Sequence, residues 1–139
     1  MKKLSLWIAL GSLCLLSFAK PALNVAQFET YSQQMYDLST KYIQNKQFQN
    51  ADKTISVWLN TYNTFSDKEK ANYAPLYAKM QYNYACALAQ NNDLYQALKA
   101  LEEAVDAGFN NKEQATTDPN LSGLKNYDSF QKILSNIKS

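Results

Sequence analysis

Apolar residues recur every three or four positions along most of the chain beyond the first twenty residues, whereas strict alternation of apolar and polar residues is nearly absent. A period of 3.6 residues is typical of helices with one buried face. Two stripes are prominent: Phe28, Tyr31, Met35, Leu38 and Tyr42, then Phe48, Ala51, Ile55, Trp58, Tyr62 and Phe65. They predict helices over about 25–45 and 48–64. Because only Lys46 and Gln47 separate these helices, we expect an antiparallel hairpin.

Two signals in the middle of the chain predict where the next helices begin. Ser66 and Glu69 have the spacing of a capping box, in which each side chain satisfies a backbone N–H of the first helical turn. A short helix is therefore expected from Ser66 onward. Pro75 would break a continuous helix but fits near the first turn of a new one, which we place at about 74–90.

A second helical pair is predicted across a three-residue turn. Residues 91–93, with the sequence Asn-Asn-Asp, combine a turn with an N-cap. A helix over about 94–107 follows, and Gly108 ends it in the left-handed conformation. Phe109 stands where a hydrophobic contact often seals such an end.

The C-terminal part is predicted to form short elements and one last helix. Residues 110–117 are polar and are expected to form a loop or a single helical turn. Asp118 and Pro119 have the pattern of an N-cap followed by proline at the first helical position. The stripe Tyr127, Phe130, Ile133, Leu134 and Ile137 predicts a final amphipathic helix. The fold is therefore expected to be all-α, with six or seven helices and one domain over 20–139.

The first residues have the pattern of a secretory signal peptide. Met1-Lys2-Lys3 is cationic, residues 4–18 are uncharged and mostly apolar, and Ala19 offers a small residue at a cleavage point. We predict that residues 1–19 are removed and that the mature chain is periplasmic or secreted from a bacterium. An uncleaved N-terminal membrane anchor is the alternative. A lipoprotein is less favoured, because Cys14 follows a leucine.

Composition narrows the chemistry that the chain can perform. The 139 residues include no His, and all fourteen basic residues are Lys. The absence of His removes imidazole bases and His-ligated metals. Loss of residues 1–19 removes Lys2 and Lys3, which leaves 12 Lys against 12 acidic residues. A chain of balanced charge without Arg is a poor nucleic-acid binder. We therefore expect neither an enzyme nor a metal or cofactor protein.

The segment from Tyr84 to Val105 resembles a tetratricopeptide repeat, a 34-residue helix-turn-helix unit in which small residues let two helices approach closely. The match covers about 78–111, with Asn92 where the family usually has Gly and Phe109 where it has Pro. The residues that carry it are Ala85, Leu88, Ala97, Leu101 and Ala104, at repeat positions 8, 11, 20, 24 and 27.

The rest of the chain extends this resemblance. Residues 82–134 are similar to the closing repeat of many bacterial tetratricopeptide proteins, whose last segment covers the apolar edge of the stack. The matching residues of this cap, about 118–138, are Asp118, Pro119, Leu121, Leu124, Phe130 and Gln131. A first unit over about 32–65 is a more distant relative, with Trp58 where the family is small. The resemblance implies a short α-solenoid of stacked antiparallel hairpins with a capping C-terminal helix.

In the family, the first helix of each hairpin lines a concave groove. The positions carried over are Gln33, Tyr36, Asp37, Thr40, Ile43 and Gln44 from the first unit, and Lys79, Tyr82, Asn83, Cys86, Ala89 and Gln90 from the second. Tyrosines and amides are good contact residues, although these tyrosines could equally pack between helices. Cys86 is expected to be a buried structural thiol. Some members of the family bind the terminal carboxylate of a peptide with Lys and Asn side chains. Lys79 and Asn83 match two of those positions, but Tyr36 and Thr40 stand where the remaining ones are expected, so the set is incomplete.

Three functions remain open at this stage. The first is a non-catalytic interaction module that holds a segment of another protein in the groove. The alternative is a small-ligand or glycan-binding protein that uses the tyrosine-rich surface. An enzyme is the least favoured, because no convergent catalytic set can be assembled. Two repeats are fewer than the three usual in a stable array, so self-association or a partner is expected to complete the stack. Contact with a membrane is expected only through an uncleaved signal segment.

Overall fold

A computed structural model describes residues 24–138, and every regular element in that range is a helix. The all-α prediction is therefore confirmed. Two 3₁₀ helices, Ala71–Tyr73 and Pro119–Leu124, join the longer elements. The α-helices are α1 (Val25–Gln44), α2 (Phe48–Tyr62), α3 (Asp67–Lys70), α4 (Ala74–Gln90), α5 (Leu94–Asp106), α6 (Lys112–Thr117) and α7 (Asp128–Asn136). The predicted signal peptide, 1–19, lies outside the described residues.

Side-chain caps explain where three of the helices begin. The Ser66 Oγ accepts from Glu69 N, and the Glu69 carboxylate accepts from Ser66 N at 2.9 Å, so the predicted capping box is confirmed. Asp93 caps α5 by accepting from a backbone N–H at 3.3 Å. Asn24 and Gln27 form a further capping box at the start of α1. Each cap satisfies backbone donors that the helix cannot pair internally.

The turns between paired helices depend on left-handed backbone conformations. Gly108 has a φ of 106°, as the sequence predicted, and Asn92 has a φ of 65° within the predicted turn between α4 and α5. Phe109 N donates to Ala104 O at 2.9 Å, which seals the end of α5. Lys46, with a φ of 56°, makes the turn between α1 and α2 without the glycine or asparagine that usually adopts this conformation.

The core has two parts that meet along α4. The first surrounds Phe28 and Trp58, both fully buried, and the Trp58 indole N–H donates to the buried Ser32 Oγ at 2.8 Å. The second joins α4, α5 and the C-terminal elements. The helix α4 packs against α1, α2, α5 and the second 3₁₀ helix, so it is the central element of the described chain.

Short C-terminal elements cover the end of the α4–α5 pair. Leu121 and Leu124 of the second 3₁₀ helix are fully buried, and Phe130, Ile133 and Leu134 of α7 are almost fully buried. Within residues 110–117, predicted as a loop or a single turn, Lys112–Thr117 form the slightly longer helix α6, which Asn111 caps. These elements therefore shield apolar surface of α4 and α5 from water.

No helix within residues 24–138 combines the length and apolar character that crossing a bilayer requires.

Candidate functional site

A cleft of about 370 Å³ opens between α1, α4 and the turn that follows α5. We refer to it as the α1–α4 cleft. Its lining residues are Tyr36, Pro75, Ala78, Lys79, Tyr82, Asn83, Gly108, Phe109, Asn110, Asn111 and Gln114. Four of the twelve predicted groove residues, Tyr36, Lys79, Tyr82 and Asn83, therefore line one cavity.

Tyr82 forms the floor of this cleft. Its side chain is only 4% exposed, and its ring stacks on Phe109 with centroids 4.5 Å apart and an interplanar angle of 13°. Its hydroxyl donates to Asp118 Oδ2 at 2.8 Å. Burial raises the pKa of Tyr82 far above its usual value, and the neighbouring Cys86 and Asp118 add to the shift. Tyr82 is therefore a neutral, fixed surface.

Lys79 supplies the positive charge at the mouth of the cleft. Its Nζ lies 5.9 Å from the centroid of the Tyr36 ring, within the range of a cation–π contact. Among the described residues, no carboxylate lies within 4.0 Å of this ammonium group. Lys79 is exposed and lies over an aromatic ring without an acidic partner in the described part of the chain, so its ammonium group is available to a ligand.

Asn83 connects the two helices that form the cleft. Its Nδ2 donates to Ser39 Oγ at 3.2 Å and to Thr40 Oγ1 at 3.0 Å. Ser39 is fully buried and donates to Tyr36 O at 2.8 Å. The amide N–H₂ of Asn83 and the hydroxyl of Thr40 are therefore engaged in holding α1 against α4.

The other predicted groove residues are dispersed. Gln33 donates to Asp37 at 2.9 Å on the exposed side of α1, and Gln33 also lines a neighbouring cleft that meets the α1–α4 cleft at Pro75 and Lys79. Gln90 donates to Asn120 O at 2.9 Å and so holds the second 3₁₀ helix. Gln44, exposed at the end of α1, lines neither cleft.

Residues after α5 complete the wall opposite α1, and none of them is among the predicted groove residues. They are Phe109, Asn110, Asn111 and Gln114. The family resemblance points only to the first helix of each hairpin, and the polar composition of residues 110–117 predicts only a loop or a single helical turn. The left-handed Gly108, which turns the chain back across α4, was the available signal.

Cys86 lies beneath the cleft as a buried thiol, only 2% exposed, as predicted. Burial raises its pKa, and the nearby Asp118 carboxylate adds to the shift; the Sγ lies 3.6 Å from Asp118 Oδ2. A thiol with a raised pKa is a weak nucleophile. Across residues 24–138, no group of three or more Cys, Asp or Glu side chains is arranged to hold a metal ion.

Comparison with protein-family models, with curated proteins and with solved structures gives no match. The function must therefore be inferred from the cleft itself.

Proposed function

We propose that the protein is a non-catalytic interaction module that holds an extended segment of another protein in the α1–α4 cleft. We further propose that its helices stack as a short tetratricopeptide-like α-solenoid closed by the C-terminal elements. Removal of residues 1–19 would place it in the bacterial periplasm or outside the cell. It would act there by holding its partner.

The repeat assignment is supported by how completely its signature positions are buried. Ala85, Ala97 and Ala104 are fully buried, at the three positions where the family needs small side chains. Leu88 and Leu101 are 5% and 0% exposed. Small residues on facing helices allow close approach of the two backbones, which suits a tightly packed α4–α5 hairpin.

The cleft lining is the observation that carries the binding proposal. Aromatic surface from Tyr36 and Phe109 stands beside the amide side chains of Asn110, Asn111 and Gln114. Asn110 and Gln114 can offer both a donor and an acceptor to the backbone of an extended peptide, whereas Asn111, whose Oδ1 already accepts from Gln114 N at 2.9 Å, offers chiefly its N–H₂ donors. Tyrosine supplies rigid contact area at a low entropic cost. Such a surface suits contact with a polypeptide.

Site-specific photo-crosslinking in the producing cells tests the proposal. A photoreactive phenylalanine analogue replaces Tyr36 in the cleft and, as the matched control, Tyr95, a tyrosine on α5 that is 74% exposed. We expect covalent adducts from position 36 that map to one contiguous segment of a partner, and none from position 95. Equal adducts from both positions, or adducts scattered over many proteins, would refute a specific groove.

A small-ligand or glycan site is the second candidate, favoured by the size of the cavity. A volume of about 370 Å³ lies within the range of pockets for small molecules. A thermal-shift screen with cell-wall fragments separates the two functions. Stabilisation by a fragment that Tyr36→Ala abolishes, together with absent crosslinks at position 36, would replace the peptide proposal with this one.

A further inference from the structure

A second cleft, separate from the α1–α4 cleft, lies where α2, α4 and α5 meet. It encloses about 310 Å³, and we call it the α2–α5 cleft. Leu59 and Ala100 supply apolar wall, Tyr84 an aromatic wall, and Lys99 part of the exposed rim. Tyr77, Gln81 and Glu103 form a connected polar group within it.

The hydrogen bonds of this polar group fix its orientation. Tyr77 OH donates to Glu103 Oε2 at 2.9 Å, because a carboxylate can only accept. The Tyr77 oxygen therefore accepts from Gln81 Nε2 at 2.8 Å. The amide nitrogen of Gln81 therefore faces the Tyr77 hydroxyl. The carbonyl oxygen of the same amide points away from Tyr77.

The carbonyl oxygen of Gln81 has no hydrogen-bond partner among the described residues, although the side chain is only 6% exposed. No hydrogen bond to Gln81 Oε1 is formed by any of residues 24–138. Within the same range, every side-chain nitrogen or oxygen of a buried or half-buried residue that is closed to solvent has a hydrogen-bond partner. A side-chain atom of such a residue without a partner must therefore be exposed to some extent. Gln81 Oε1 therefore keeps some exposure to solvent, and Gln81 is one of the residues that line the α2–α5 cleft.

The α2–α5 cleft therefore contains hydrogen-bond acceptors that a ligand with N–H or O–H groups could use. Among residues 24–138, Gln81 Oε1 is unpaired, Tyr77 Oη keeps one unused lone pair, and Glu103 Oε1 receives no hydrogen bond. No lysine Nζ of the described residues lies within 4.0 Å of the Glu103 carboxylate. A primary ammonium group carries three N–H donors, no acceptor and a positive charge, which matches this set.

We infer that the α2–α5 cleft binds a primary alkylammonium group, with Glu103 as its counter-ion and Gln81 Oε1 as a second acceptor. The alkyl chain would lie along Leu59 and Ala100. The ring of Tyr84 would add a favourable cation–π contact. Lys99 on the rim carries the same charge as the ligand, so it opposes binding.

NMR titration of the full chain with 1,5-diaminopentane tests this site, with 1,5-pentanediol as the neutral analogue of the same shape. The diamine should shift the Gln81 side-chain amide signals saturably, and the diol should not. Glu103→Gln keeps an acceptor for Tyr77 but removes the charge, so we expect binding about tenfold or more weaker. Glu102→Gln, the same change on an exposed neighbour, should alter binding by less than about twofold. Lys99→Gln should tighten it.

Three results would each overturn the inference. They are equal binding by the diol, no saturable shift at Gln81, and equal effects of the two glutamate variants. The diamine-against-diol comparison needs no variant, so it decides the matter even where a substitution unfolds the protein. A further titration with amidated Nα-acetyl-lysine shows whether the ammonium group belongs to a lysine side chain of a polypeptide or to a free small amine. Binding tighter than that of the diamine assigns the site to a lysine side chain, and weaker binding assigns it to a free amine.

Discussion

The hydrogen bond between Tyr82 and Asp118 gives a sharp test of how the cleft floor is held. Tyr82→Phe removes the hydroxyl and leaves the ring stacked on Phe109. The lost bond is short, at 2.8 Å, is made to a carboxylate, and belongs to a side chain only 4% exposed. Bonds of this kind contribute about 1.5–3 kcal/mol, so we expect a decrease of that size in the free energy of unfolding.

Urea unfolding followed by far-UV circular dichroism measures this change. The slope of the free energy with denaturant should be unchanged, because the surface exposed on unfolding is the same. Tyr95→Phe, which alters an exposed tyrosine, is the matched control and should stay within about 0.5 kcal/mol of the wild type. In a double-mutant cycle, Tyr82→Phe should cost little once Asp118→Ala is present. A cost of less than about 0.5 kcal/mol for Tyr82→Phe alone would refute this account of the floor.

Three further predictions concern stability. Ala97→Leu should overpack the fully buried α4–α5 contact and lower the free energy of unfolding by about 1–3 kcal/mol; an unchanged melting temperature would count against the repeat register. Ser32→Ala should leave the buried Trp58 indole N–H unpaired and cost about 1–3 kcal/mol in urea unfolding, and a neutral result would disprove that bond. Burial raises the pKa of Tyr77 to about 12, from an unfolded value near 10, so its stabilisation is complete below pH 10 and is lost as the pH rises towards 12. Between pH 10 and 12, the free energy of unfolding of Tyr77→Phe should fall less steeply with pH than that of the wild type, by up to about 1.4 kcal/mol per pH unit. Identical slopes for the two proteins would contradict a raised pKa at Tyr77.

The helices could be predicted closely because their signals are local. The bounds of α4 agree with the prediction from Pro75 and the turn at Asn92, and α5 begins at the predicted cap. Lys46 was the exception among the turns. A positive φ at lysine has no compositional signature, and the two-residue connection between helices imposes it.

The site was only partly predictable, because it depends on contacts between distant segments. Sequence position placed Tyr36 and Lys79 on helix faces that do line one cleft. It could not show that the Tyr82 hydroxyl donates to a carboxylate 36 residues further on. The Gln81 amide of the α2–α5 cleft has no distinguishing pattern in the sequence around it. Its unpaired oxygen follows only from the folded arrangement, in which Tyr77 donates to Glu103 and therefore accepts from the Gln81 amide nitrogen. The half-buried Glu103 lies 22 residues beyond Gln81 in the sequence.

The most direct test of segment binding is a heteronuclear NMR titration with a synthetic peptide that covers the partner segment crosslinked at position 36. We predict saturable shifts concentrated on Lys79, Asn83, Asn110 and Asn111, with the backbone signals of Tyr95 unchanged. Shifts concentrated on α2 and the exposed face of α5, with the α1–α4 cleft silent, would contradict the proposed function.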